Sequence, residues 1–181
     1  IPMRLTVIAT PIGNLKDITL RALEALEEAD IVLCEDTRHT QKLLTHYGLK
    51  KRLISCHQHN VARRLEDIIG LLKQKKKLAL VTDAGTPGIS DPGESLIKAA
   101  IAAGIKIIPI PGPSAAITSL SISGFSPNEF TFVGFLPRKA GKIKKLLEKL
   151  KAEGRTVVFY ESPHRILKTL DEIFATLGDF Y

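Results

Sequence analysis

The stretch LALVTDAGTPGISDPG, residues 78–93, joins a short apolar run to a loop of small and conformationally restricted residues. Residues 83–93 contain three glycines and two prolines, which is more than a simple turn requires. Glycine lets a flat ligand lie against the backbone, and proline holds the loop in one shape. Asp83, just past the apolar run, can accept hydrogen bonds from a ligand or from neighbouring backbone amides. We interpret residues 83–93 as a ligand-binding loop that follows a buried strand.

The rest of the chain repeats this alternation of apolar runs and amphipathic stretches. Strands are predicted at residues 5–9, 31–34, 53–55, 78–81, 106–110, 130–136 and 156–160. Near-continuous apolar strands are typical of a mostly parallel sheet with helices on both faces, which indicates an α/β fold. Apolar residues at helical spacing mark the buried stripes of three predicted helices, within residues 61–72, 143–150 and 166–177. For the last helix we expect Ser162 as the cap, Pro163 at the first helical position and Gly178 just past the end.

The segment GFSPN, residues 124–128, is the best linker candidate, and the sequence becomes more basic after it. We therefore predict a first α/β domain over residues 1–124 and the start of a second over residues 125–181, with a ligand cleft between them. A chain of 181 residues that is 44% hydrophobic is large enough to form two such cores.

Two more loops follow predicted strands, at the edge where open parallel sheets bind ligands. The first, TPIGNLKD at residues 10–17, can turn sharply and expose backbone amides, although an ordinary strand-to-helix connection has the same composition. The second, PGPSAA at residues 111–116, places Pro113 where we expect a first helical turn. Ser114 and Ala115 are small, so they leave the helix N-terminus open to a negative group such as a carboxylate.

Composition excludes several classes of protein. The net charge of +7 attracts polyanions but does not by itself identify a nucleic-acid partner. Cys34 and Cys56 are too few for a disulfide framework, and we expect both to be buried and reduced. No apolar run is long enough to cross a bilayer, and we expect no leader sequence. The dinucleotide and P-loop glycine motifs are missing, and His57 and His59 lack companions at metal-site spacing, so we expect no metal.

Five ordered motifs resemble the ribosomal RNA small-subunit methyltransferase I family of the tetrapyrrole-methylase superfamily. They are TPIGNLKD at 10–17, EDTRHT at 35–40, DAGTPGISDPG at 83–93, PGPSAA at 111–116 and YESPHR at 160–165. The resemblance implies two αβα domains with S-adenosyl-L-methionine in the cleft between them. It also implies 2′-O-methylation of a cytidine ribose in 16S rRNA of the small ribosomal subunit, a bacterial cytoplasm and a homodimer. Members of this family usually continue well beyond residue 181, so the second domain is expected to be incomplete.

The resemblance assigns the methyl donor to residues on these loops. The implied cofactor-binding residues are Pro11, Ile12, Asp83, Ala84, Gly85, Ile89, Ser90, Ser114, Ala115 and Tyr160. Among them, Tyr160 is expected to contact the methyl donor from the second domain.

A ribose hydroxyl is a weak acid, so its methylation needs a nearby base or a cation that stabilises the alkoxide. The candidate catalytic residues are Asp36, Arg38, His39, Glu161, His164 and Arg165, with Glu35 as a possible partner in the same motif. The alternative for residues 35–40 is a helix start with acidic residues near its positive end. For residues 160–165 the alternative is a capped helix with solvated polar side chains. The sequence does not choose the base.

Basic residues are concentrated between residues 138 and 155. We predict that RNA is bound by Arg138, Lys139, Lys142, Lys145 and Lys149, whereas the alternative is a solvated helix face. A second cluster, from Lys73 to Lys77, is interpreted as a favourably charged helix end. Two other functions stay open: methylation of a small tetrapyrrole acid, and RNA binding without catalysis.

Overall fold

A computed structural model describes residues 3–57, 61–91 and 93–178, except the side chains of residues 61 and 62. The chain forms two compact units, Ile1–Ala115 and Ala116–Tyr181. The predicted domain boundary after Gly124 lies further along the chain and stays a prediction.

The first unit is built on a parallel five-stranded sheet with the order β3-β2-β4-β1-β5. Its strands are β1 (Arg4–Ile8), β2 (Ile31–Cys34), β3 (Arg52–Ser55), β4 (Leu78–Leu80) and β5 (Lys106–Ile110). Its helices are α1 (Leu20–Glu28), α2 (Thr37–His46), α3 (Val61–Lys73) and α4 (Gly93–Ala102), and a 3-10 turn lies at Leu15–Asp17. Because all strands are parallel, their carboxyl ends lie along one edge and their amino ends along the other.

Alternate residues of each strand enter two different cores. Leu33 of β2 packs in the core under α3 and α4, where Leu72 and Leu96 are also fully buried. Val32, one residue earlier, packs in the core under α1 and α2 with Leu26. Each fully buried aliphatic side chain of this kind contributes about 1.5–3 kcal/mol to folding. The predicted α/β fold with helices on both faces of a parallel sheet is therefore confirmed.

The two cysteines lie on opposite faces of this sheet. Cys34 belongs to the core under α1 and α2, and Cys56 belongs to the core under α3 and α4. Both are free and buried, as predicted. Burial raises the pKa of each thiol, so the reactive thiolate form is suppressed.

The second unit begins at the start of α5 (Ala115–Ile122). It contains a parallel pair of strands, β6 (Phe130–Phe135) and β7 (Thr156–Tyr160), and the helices α6 (Ala140–Glu153) and α7 (Ile166–Leu177). Ile143, Leu147 and Leu150 form the buried face of α6. The pairing of β6 with β7 shifts register between Phe132 and Phe135.

All seven predicted strands are present in the described residues, within one residue at either end. Two helix starts were predicted too early. Helix α5 begins at Ala115, two residues after Pro113, and α7 begins at Ile166 instead of Pro163. Ser162 does not cap α7. Its hydroxyl accepts a hydrogen bond from the amide of His164, and its carbonyl oxygen accepts one from the amide of Arg165. These two bonds form a separate turn before the helix. Gly178 follows the helix end, as predicted.

Candidate active site at the carboxyl edge of the sheet

The loops that follow β1 and β4 are joined by their backbones. Thr10 and Gly85 exchange two hydrogen bonds, with N···O distances of 2.9 and 3.0 Å. The buried hydroxyl of Thr10 also donates to the carbonyl oxygen of Thr82 at 3.0 Å. Neighbouring parallel strands therefore continue past the sheet edge into a common surface.

The loop that follows β5 joins the same surface. The Thr86 hydroxyl donates to the carbonyl oxygen of Pro113 at 3.2 Å. Gly85 has φ +87°, and a Cβ on it would lie 3.6 Å from Ile12 Cγ2 and 3.8 Å from the Pro113 oxygen. Glycine is therefore required where the three loops meet, because other residues rarely adopt this φ. A Cβ on Gly112 would come within 3.0 Å of the Ala9 Cβ, so this loop lies directly against the end of β1.

Asp91 closes the long loop onto the start of α4. Its Oδ1 accepts hydrogen bonds from the amides of Gly88 and Gly93, both at 2.8 Å. A Cβ on Gly93 would lie 3.1 Å from that same oxygen and 3.3 Å from Leu80 Cδ2, so the loop end is closely packed. Our sequence interpretation did not single out Asp91, although aspartate side chains in turns often accept from the backbone amide two residues later.

Carboxylates cluster where β2 and β4 end. The amide of Asp36 donates to Asp83 Oδ1 at 3.2 Å. One oxygen of Asp83 therefore accepts from a backbone amide, which the sequence offered as the alternative to accepting from a ligand. Burial raises the pKa of Glu35, and the negative charges of Asp83 and Asp91 raise it further. The sheet edge is thus acidic beside the glycine-rich loop.

Asp36 and Arg38 bond to each other. Arg38 donates from Nε and Nη2 to the two carboxylate oxygens of Asp36, at 3.1 and 2.7 Å, and its amide donates to Oδ1 at 2.8 Å. These bonds hold the pKa of Asp36 well below its usual range. Asp36 is the N-cap of α2, so the helix-start interpretation of this motif is confirmed. His39 follows on the first turn and is exposed.

In the second unit, the Glu161 carboxylate accepts hydrogen bonds from within the protein. Its side chain is only 2% exposed, and its oxygens accept from the Ser162 amide and the Thr169 hydroxyl, both at 2.7 Å. Arg165 Nη2 lies 3.6 Å from Glu161 and donates to the Pro137 carbonyl at 3.0 Å. The Thr169 bond lowers the pKa of Glu161. Thr169 could not be predicted from the sequence, because its role depends on how α7 packs.

The predicted cofactor-binding residues are divided between the two units. Those on the joined loops of the first unit are Pro11, Ile12, Asp83, Ala84, Gly85, Ile89, Ser90, Ser114 and Ala115. Tyr160, at the end of β7, lies in the second unit with Glu161, His164 and Arg165. The Tyr160 ring packs edge-on against Phe132 and Phe135. A shared cleft that brings the two groups together stays a prediction.

Comparison with known proteins now identifies the family. The family model described as "Tetrapyrrole (Corrin/Porphyrin) Methylases" matches residues 4–179. The chain belongs to the tetrapyrrole methylases. A crystal structure of diphthine synthase superposes with a TM-score of 0.75 at 18% sequence identity. The match covers 97% of this chain and 72% of the diphthine synthase chain, and it supports the fold alone.

Curated relatives of this tetrapyrrole methylase carry the name "Ribosomal RNA small subunit methyltransferase I". Those from Escherichia coli O157:H7 and Haemophilus influenzae are 47% and 49% identical over 97% of the chain, which spans 62% of their length. The protein from Thermotoga maritima is 48% identical, and the chain spans 79% of it. The family resemblance drawn from the five motifs is therefore confirmed.

Two observations concern the described residues of this methylase as a whole. Within them, no helix is both long and apolar enough to cross a membrane. Among the same residues, no group of three or more His, Cys, Asp and Glu side chains is arranged to hold a metal ion.

Replacing Asp91 should loosen the long loop. In Asp91→Ala, the amides of Gly88 and Gly93 lose their acceptor, so we expect a loss of about 1–3 kcal/mol in the free energy of unfolding. The pKa of Glu35 should also fall, because one of the charges that raise it is gone. Urea unfolding and NMR titration of Glu35 measure the two effects. Asp67→Ala on the exposed side of α3 is the matched control, and an equal loss there would contradict the assignment.

The Glu161 bond should appear in the pH dependence of stability. Because the folded-state pKa of Glu161 is lowered, its carboxylate stabilises the fold above the ordinary carboxyl pKa, and this contribution disappears as pH falls through the lowered value. Thr169→Val removes the main cause, so we expect a loss of about 1–3 kcal/mol at pH 7 that shrinks in acid. Unfolding curves from pH 7 to pH 3 measure it. A difference independent of pH would show that the hydroxyl acts only through packing.

Proposed function

We propose that the whole protein transfers a methyl group from S-adenosyl-L-methionine to the 2′-hydroxyl of a cytidine ribose in 16S rRNA of the small ribosomal subunit. One observation carries the proposal. The loops after β1, β4 and β5, which bear three of the five family motifs, are bonded into one surface at the carboxyl edge of the sheet. The names of the curated relatives support the choice of RNA as substrate. We further propose a cytoplasmic homodimer.

The loop surface fits a nucleoside with an amino-acid tail. Ala84 and Gly112 are exposed and nearly without side chain, so a flat ring can approach the backbone there. Ile89 is 49% exposed and offers apolar surface to such a ring. The start of α5, at Ala115, suits the carboxylate of the tail. When bound, the donor supplies an electrophilic methyl group.

The remaining task of the protein is to orient the ribose and accept its proton. Asp36 is a poor base because Arg38 keeps its pKa low, and we propose that this pair orients the substrate. Glu161 is buried and paired, and we propose that it positions Arg165 and the turn before α7. His39 and His164 are exposed, so an imidazole nitrogen of either can take the proton directly.

We propose that the exposed face of α6 contacts RNA phosphates. Lys142, Lys145 and Lys149 follow one another at helical spacing, opposite the buried Ile143 and Leu147. The neighbouring Arg138 and Lys139, just before the helix, are also exposed. In the part of the chain that the structure describes, no ion pair involves these five residues.

Methyl transfer to RNA tests the function. Purified protein and labelled S-adenosyl-L-methionine are mixed with unmodified small subunits, and calorimetry measures donor binding separately. We expect label in the ribose of one cytidine, and we expect His39→Ala or His164→Ala to lower the rate about 10²–10⁴-fold with donor affinity unchanged. Label in a corrinoid precursor instead of RNA would support the tetrapyrrole alternative. RNA binding without donor binding would support the non-enzymatic one.

Neutralising α6 tests the RNA face. For Lys142→Gln/Lys145→Gln/Lys149→Gln, the slope of log affinity against log salt should become shallower by about 2, since each lost phosphate contact removes about 0.7–0.9. RNA binding at several salt concentrations measures the slope. The control Lys42→Gln/Arg63→Gln/Lys168→Gln removes the same charge from exposed positions elsewhere. Equal slopes in the two variants would contradict a local role for α6.

A further inference from the structure

The amino edge of the five-stranded sheet, opposite the candidate site, is strongly basic. Cations stand at or just before four of the five strands. They are Arg4 on β1, Lys50, Lys51 and Arg52 at β3, Lys73, Lys75, Lys76 and Lys77 before β4, and Lys106 on β5. In sequence these residues are spread over a hundred positions, and the parallel strands bring them to one edge.

Three of these cations have partners within the protein. Arg4 pairs with Glu28 at 2.8 Å, and Lys77 lies 3.8 Å from the same carboxylate. Lys51 donates to the carbonyl oxygens of Glu27 and Ala29 at the end of α1.

Six cations remain, and we name them the amino-edge patch: Lys50, Arg52, Lys73, Lys75, Lys76 and Lys106. All six are exposed. Within the described part of the chain, no side-chain hydrogen bond or ion pair satisfies them. Their charged groups are therefore available to a partner.

The interpretation of the lysine cluster as a helix end covers only Lys73, the last residue of α3. Lys75 and Lys76 lie past the helix, where their amides donate back to the carbonyls of Leu72 and Leu71. Lys75 has φ +62°, a conformation that glycine adopts more easily. A lysine there exposes a charge at some conformational cost.

The strand order spreads the patch across the edge. Arg52 lies on one outer strand, Lys106 on the other, and the loop with Lys75 and Lys76 precedes the central strand β4. Four strand spacings of about 4.8 Å separate the outer strands by roughly 19 Å. A nucleic-acid backbone presents several phosphates over such a length.

We propose that the amino-edge patch binds the phosphate backbone of RNA at a distance from the methylated nucleotide. The proposal rests on the proposed function, because that function supplies the RNA. Five of the six residues are lysines, which are depleted in protein–protein interfaces and act as point charges toward phosphate. Among the described residues of this edge, Ile101 near the end of α4 is a single exposed large apolar side chain, whereas insertion into a membrane surface needs a continuous apolar face.

A variant in which three lysines of the amino-edge patch are neutralised tests the proposal. Lys75→Gln/Lys76→Gln/Lys106→Gln is compared with Lys42→Gln/Arg63→Gln/Lys168→Gln, which loses the same net charge. Binding to 16S rRNA is measured from 50 to 200 mM salt, and circular dichroism confirms folding. We expect the patch variant to bind about tenfold or more weakly at the lower salt concentrations, with a salt slope shallower by about 2. The control should keep both values close to those of the unchanged protein.

Two further measurements separate this proposal from the proposed function. Donor binding should be the same in both variants, because the patch is on the edge opposite the loops. If RNA binding depends on the patch but no methyl is transferred, the proposed function fails and the patch stands. If methyl is transferred while the patch variant and the control bind RNA equally, the patch proposal fails. Loss of binding only to vesicles of anionic lipid, or only to an acidic protein, would also overturn it.

Discussion

The loop surface at the carboxyl edge of the sheet depends on the paired backbone hydrogen bonds between Thr10 and Gly85. They tie the end of β1 to the loop that follows β4, although these segments are far apart in sequence. Gly85 can occupy this position because it tolerates φ +87°, and its lack of a side chain leaves room for Ile12. Thr86, the next residue, then reaches Pro113. The surface where these three loops meet is therefore formed largely by backbone.

Helix dipoles account for part of the opposite charge at the two edges of the sheet. In a parallel αβα layer, helices run against the strands, so their N-termini lie at the carboxyl edge and their C-termini at the amino edge. Asp36 caps α2 and Asp91 closes the loop onto α4, each carboxylate near a positive helix end. Lys73 ends α3 at the other edge, near a negative helix end. The remaining amino-edge lysines lie outside any helix, so the dipole does not account for them.

Local patterns in the sequence predicted the strands, since each is an apolar run bounded by turn residues. The glycine-rich loops were also predictable, because their composition is a local feature of the sequence. What escaped prediction depends on tertiary packing. Thr169 and Glu161 are eight residues apart, and only the placement of α7 over the end of β7 brings them together. A separate turn, closed by bonds to Ser162, delays the start of α7. Strand order likewise has no local signal, so the spread of the basic edge emerged only from the fold.

Glu35 and Asp36 are adjacent in sequence, yet their environments move their pKa values in opposite directions. Glu35 is partly buried beside Asp83 and Asp91, which favours its protonated form. Asp36 faces Arg38 and a helix N-terminus, which favour its ionised form. A charged, hydrogen-bonded pair at Asp36 and Arg38 can orient a substrate without exchanging protons. The proposed methyl transfer then needs another proton acceptor, and we propose the exposed imidazoles of His39 and His164 for that role instead of the Asp36 carboxylate.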